Sequence, residues 1–229
     1  MYGACVVADR VFSQAILTAM AGAFIAELGG GKIGVAWNDP RRPQSSFGNL
    51  ENGARGAGIG AAIALVIVAI GLGSGALSRD GARSPLFFAM LAGLLESTLV
   101  AVKLEILQRG ILRVLCNKTE PRAFLPLAAL VGALAAAGAG ASAMAAGASL
   151  ALCMALLWER HNGGLLPILA HTGVRFVLGP LTGAAGFALK ADGPWIGAGL
   201  MQSPLAAVVL AVAAAVLFSR RQRPPRAVE

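Results

Sequence analysis

Residues 123–158 read AFLPLAALVGALAAAGAGASAMAAGASLALCMALLW, 36 consecutive positions without a charged side chain. At roughly 1.5 Å per residue one helix of that length would reach about 54 Å, against about 30 Å of hydrocarbon in a bilayer. The stretch therefore predicts two membrane crossings, divided near Gly138-Ala139-Gly140. Its middle, residues 132–149, is almost entirely glycine, alanine and serine. Such residues let helices in lipid approach closely.

Similar runs lie on both sides. Upstream they cover about 12–28, 56–77 and 85–107; downstream, 165–178 and 195–218. The expectation is an all-α, polytopic transmembrane bundle of about seven spans. It forms one integral membrane domain over residues 1–229, with a basic tail at 219–229. A polar, turn-rich linker at 29–55 centres on Asp39-Pro40-Arg41-Arg42-Pro43. Ser78-Arg79-Asp80-Gly81 and Glu159-Arg160-His161-Asn162-Gly163-Gly164 read as short polar breaks. Gly179-Pro180 ends the sixth run, and 183–189 reads as an irregular or re-entrant piece; an eighth span there would reverse the side of the C-terminus. No internal repeat is visible.

Composition narrows the class. The chain is 57% hydrophobic and 13% charged, with a mean hydropathy of +0.73, more apolar than a soluble domain requires. The net charge of +8 collects in loops and the tail, as cytoplasmic retention of Lys and Arg produces. With only 6% aromatic residues there is no platform for stacking bases, so no nucleic-acid partner is expected. Placing the N-terminus outside puts Lys32, Arg41, Arg42, Arg55, Arg109, Arg113, Lys118, Arg122, Arg160 and the tail arginines in the cytoplasm. Only Arg10, Arg79, Arg83 and Lys190 then lie outside. This distribution predicts an outer N-terminus and a cytoplasmic C-terminus. No basic stretch precedes the first run, so no cleaved signal peptide is expected, and a bacterial inner membrane fits. Cys5, Cys116 and Cys153 have no metal-like spacing, and two histidines do not make a histidine-rich site. Neither metal nor cofactor is implied.

Charges inside apolar runs are costly and so mark candidate functional positions. Glu105 and Arg109 stand four residues apart on one helix face, with Arg113 a turn further. The pair reads either as an active carboxylate held by a guanidinium or as an ion pair ending a helix. His171 and Arg175 repeat the spacing. Arg175 needs a partner such as Glu105, Glu96 or a backbone carbonyl, or it snorkels to the surface. Glu96 and Lys103 share a face and would form an ion pair or relay unless Lys103 snorkels. Glu27 reads as interfacial and His161 as a solvated loop residue.

Leu104-Glu105-Ile106-Leu107-Gln108-Arg109-Gly110 resembles the first motif of the CAAX-processing and bacteriocin-processing (CPBP, or ABI) intramembrane protease family, Glu-Glu-x-x-x-Arg. Asn162-Gly163-Gly164-Leu165-Leu166-Pro167-Ile168-Leu169-Ala170-His171 resembles its last block, where a small polar turn opens a helix ending in His-x-x-x-Asn. The likeness covers about residues 85–179. Leu104 stands where the family has its first, water-activating glutamate. The middle motif, Phe-x-x-x-His, has no counterpart in 128–142, and Arg175 replaces the final asparagine.

The resemblance implies an endopeptidase cleaving a membrane-anchored protein or peptide near the bilayer surface. Glu105 would position or activate water, Arg109 would orient Glu105, and His171 or Arg175 would stabilise the oxyanion. The missing residues leave a second reading: a non-catalytic descendant that binds a peptide, lipid or partner protein in maturation or immunity. Ser142 and Ser149 upstream of His171 suggest a serine–histidine pair, a scheme that leaves Glu105 and Arg109 without a role. A transporter would need repeats that the sequence does not show.

Overall fold

The computed structural model describes residues 14–37, 45–79, 86–161, 163–183, 185–191, 195–196 and 199–221. The Asp39–Pro43 turn, Asp80-Gly81, Asn162, Cys5, Arg10, Arg83, Arg223 and Arg226 lie outside the described residues.

The chain folds as an all-helical bundle with one small β-ladder. Helix α1 is Gln14–Ile33 and α2 is Ser46–Gly73. Strand β1, Leu77–Arg79, follows. Helix α3, Phe87–Leu104, passes through a π turn at Glu105–Gly110 into α4, Ile111–Lys118. Then come α5, Phe124–Ala135; α6, Ala141–His161; and α7, Leu165–Phe176, which runs into a second π turn at Val177–Leu181. Strand β2, Leu189–Ala191, pairs antiparallel with β1, and α8, Pro204–Arg221, closes the order.

Among the described residues four helices are long and apolar enough to cross a membrane: Ile16–Ile33, Ser46–Gly73, Phe87–Lys118 and Ala141–His161. The seven expected spans are thus reduced to four of full length. The other three runs form shorter apolar helices, Pro121–Ala135, Leu165–Leu181 and Pro204–Arg220. The shortening has local causes. After α5 the chain tightens into a 3₁₀ turn and Gly140 takes φ +96°, a left-handed conformation that suits glycine; this is the division expected at Gly138–Gly140. The second run is not shortened: its helix begins at Ser46, inside the expected 29–55 linker, because Ser45 caps it by accepting from the Gly48 N–H, and it ends at Gly73, with Gly75 at φ +72° before strand β1. Gly179-Pro180 does not end the sixth run. A π turn absorbs Pro180, whose ring and missing N–H would disrupt an α-helical turn. Arg113 sits in α4 and Arg109 is buried in the π turn, so neither is a loop residue. His161 ends α6 half-buried and is not a solvated loop residue.

Small residues are buried at helix crossings, and many large apolar residues face outward. Helix α2 buries Gly53, Gly56, Gly60 and Ala64 while Leu65 and Val66 are exposed, as are Phe24 on α1, Leu91 on α3 and Val212 on α8. Such an outer surface matches lipid rather than water. Helix α7 is central and packs on α2, α3 and α6. A Cβ on Gly60 would strike the Ala170 carbonyl, one on Gly56 the Leu166 carbonyl, and one on Gly173 the Ala57 carbonyl. The α2–α7 crossing therefore requires bare backbone. Gly132 and Gly147 make the equivalent contact between α5 and α6.

Candidate active site around the Glu105 carboxylate

Glu105 opens the π turn and has no exposed surface. The wider turn departs from regular α geometry, a feature often found at functional sites. Gly30 of α1 leaves room for Ile106, and Gly110 leaves room for Val35, so the turn packs closely on the end of α1 and the residues that follow it. Three donors converge on the carboxylate. Arg109 Nη1 and His171 Nδ1 both reach Oε1, the latter at 2.6 Å, and Trp158 Nε1 donates to Oε2 at 3.0 Å.

Arg109 and Glu105 balance in charge, and Trp158 can only donate. An ionised Glu105 is acceptor-only and suits three donors. A neutral His171 in this setting carries its proton on Nδ1 and leaves a lone pair on Nε2. That Nε2 is buried and has no hydrogen-bond partner among the described residues, nor do the Nε atoms of Arg109 and Arg175.

A cavity of about 200 Å³ lies beside the group. Gln108, Arg109, His171, Arg175 and Gln202 give it a polar side. Leu104 is on its wall, as are small residues of α5 and α6 including Gly132, Ala136, Ala146 and Gly147. Glu105 lies behind Arg109 and His171. Glu105 contacts the imidazole at Nδ1 and is not itself among the residues lining the cavity. Arg175 shares the cavity but forms no ion pair with Glu105. Nor does it form an ion pair with Glu96 on α3.

Other expectations resolve differently. No ion pair joins Glu96 to Lys103; the Lys103 stem instead covers Gly22 of α1, as a snorkelling lysine does. Glu27 accepts from Trp37 Nε1 at 2.5 Å. Ser142 and Ser149 are not on the cavity wall with His171.

Trp158 is the site residue that sequence reasoning missed. An indole N–H in a buried apolar run needs an acceptor, and that need was the available signal. Arg113 Nη1 donates to the Trp158 carbonyl, and its guanidinium carbon lies 6.0 Å from the indole centroid. Trp158→Phe should lower stability by about 1–3 kcal/mol by leaving a buried carboxylate oxygen short of a donor; reversible unfolding in mixed micelles measures it.

No protein-family model, curated protein or solved structure matches this chain.

Proposed function

We propose that this chain is a membrane-embedded endopeptidase of the CPBP type, acting on a membrane-anchored protein or peptide, with His171 as its base. The observation that carries the reading is the Glu105–His171 contact, which leaves Nε2 unpartnered beside a polar cavity. In the proposed reaction His171 Nε2 takes a proton from water as the oxygen attacks the scissile carbonyl carbon. Arg175 stabilises the oxyanion. Collapse of the tetrahedral intermediate breaks the C–N bond, and His171 returns the proton to the leaving amine. Glu105 fixes the imidazole through Nδ1, and Arg109 fixes Glu105. A positioned acid–base group contributes about 10²–10⁴-fold, and a charge-stabilising donor adds to it.

The proposal places all seven apolar helices in the membrane, the shorter three tilted or partly inserted. The N-terminus is outside, the C-terminus is cytoplasmic, and the membrane is a bacterial inner membrane. The excess of basic residues in the segments then assigned to the cytoplasm supports this orientation.

One observation favours a second reading, binding without cleavage. Leu104 occupies the cavity wall where the resemblance expects the water-activating carboxylate. Co-expression with membrane-anchored candidate substrates, read by a mobility shift, separates the two. Under the protease reading His171→Ala and Glu105→Gln each reduce cleavage at least about 100-fold in protein that still inserts. Full cleavage by His171→Ala defeats the mechanism, whereas binding of a partner that is never cut supports the second reading.

A further inference from the structure

We infer that the cavity beside His171 seats the head group of a long-chain phosphomonoester, with Arg175 as its counter-ion and the small-residue wall of α5 and α6 receiving the alkyl chain. The inference shares the cavity with the proposed chemistry but requires no bond to be cut there.

Three observations lead to it. First, the wall is cationic: Arg109 and Arg175 line it, and no aspartate or glutamate does. The charge of Arg109 is balanced by Glu105. Arg175, in an apolar helix, forms no ion pair with a described residue. An arginine within a membrane span is costly without a partner. An oxyanion matches its planar donor fork.

Second, His171 lines this cavity and is 1% exposed, and its Nε2 is buried without a hydrogen-bond partner among the described residues. With Nδ1 donating to Glu105, Nε2 accepts. A carboxylate anion brings no proton to that nitrogen. A phosphate monoester, with its second pKa near 6, retains a P–O–H in part of the population at neutral pH. One head group can then accept from Arg175 and donate to His171. Gln108 and Gln202 supply further amide donors on the same wall.

Third, the lining residues from α5, α6 and the turn between them carry no polar side chain. Ala136, Ala146 and Gly147 belong to or adjoin helical segments. An alkyl chain needs no hydrogen-bond partner from such a wall. Ala135, also on this wall, is exposed, which gives a chain a way out toward lipid.

The test uses the full chain purified in a neutral detergent, with dodecyl phosphate as the probe, inorganic phosphate as the chainless control, and binding read by calorimetry without any peptide present. Dodecyl phosphate should bind saturably, and Arg175→Gln should weaken it at least tenfold. Gln202→Ala, at an exposed position and therefore mild for the fold, should weaken it about threefold. Arg79→Gln on β1 should leave it unchanged. Unaltered affinity in both Arg175→Gln and Gln202→Ala would overturn the site. Inorganic phosphate binding as tightly as dodecyl phosphate would overturn the alkyl assignment. Absence of cleavage in any co-expression assay leaves these binding outcomes unaffected, so the two ideas fail separately.

Discussion

Glu105→Ala should destabilise the folded bundle by about 3–5 kcal/mol, the range expected when one partner of a buried ion pair is removed. Arg109 is 3% exposed and Glu105 wholly buried, so the guanidinium left behind cannot recover hydration without opening the π turn. The loss extends beyond that pair, because His171 Nδ1 and Trp158 Nε1 also lose their acceptor. The double variant Glu105→Leu, Arg109→Met removes the orphaned charge and should recover at least about 2 kcal/mol of the loss, a coupling within the range for residues in one network. It should not recover all of it, because the imidazole and indole donors remain unsatisfied. Unfolding in mixed micelles measures both variants. Equal stability of the single and double variants would mean that Arg109 finds water or another acceptor, and that the carboxylate is not the centre of the network.

That experiment also separates the two demands placed on Glu105. A carboxylate saturated by three donors stabilises the bundle and orients an imidazole through the same contacts. Loss of cleavage in Glu105→Ala alone is therefore ambiguous. Glu105→Gln removes the charge and keeps one acceptor oxygen, enough for His171 Nδ1 at Oε1 but not also for Trp158 Nε1, which binds the other carboxylate oxygen, so cleavage lost there at a smaller cost in stability than that of alanine points to chemistry.

The sequence exposed some of this arrangement and concealed the rest for definable reasons. Glu105 and Arg109 are linked by local spacing, and their contact follows from four residues of helix. The meeting of Glu105 with His171 depends on how α3 and α7 pack, 66 residues apart in the chain. Sequence supplied only the requirement that charges in apolar helices find partners. Arg175 shows the limit of that requirement: Glu105 was among its candidate partners, yet Glu105 is already bound by three others. Helix ends were misplaced where glycine or proline acts through geometry. Gly140 divides the long run where expected, but Pro180 is accommodated in a π turn that periodicity does not reveal. Leu104 and Glu105, adjacent in sequence, differ in whether they reach the cavity, and only the packed structure distinguishes them.

Gly60→Val should be among the most damaging single substitutions outside the site, because the added Cβ meets the Ala170 carbonyl, a backbone atom that no rotamer change can move. Overpacking of a close contact costs about 1–3 kcal/mol and sometimes more, and a rigid backbone obstacle belongs at the upper end. Relief requires α7 to withdraw from α2. Ala170 adjoins His171, so withdrawal carries the imidazole away from Glu105 and should abolish any cleavage even in protein that inserts correctly. Gly58→Ala on the same helix provides the control. Gly58 is exposed, and a Cβ there meets nothing within 4 Å. Alanine at that position should leave stability unchanged or raise it by up to about 1 kcal/mol through helix propensity. The pair of variants distinguishes glycine that helices require for close approach from glycine that merely faces lipid. If Gly60→Val unfolds at the wild-type midpoint, α2 and α7 do not cross at this distance, and the placement of His171 against Glu105 loses its mechanical basis.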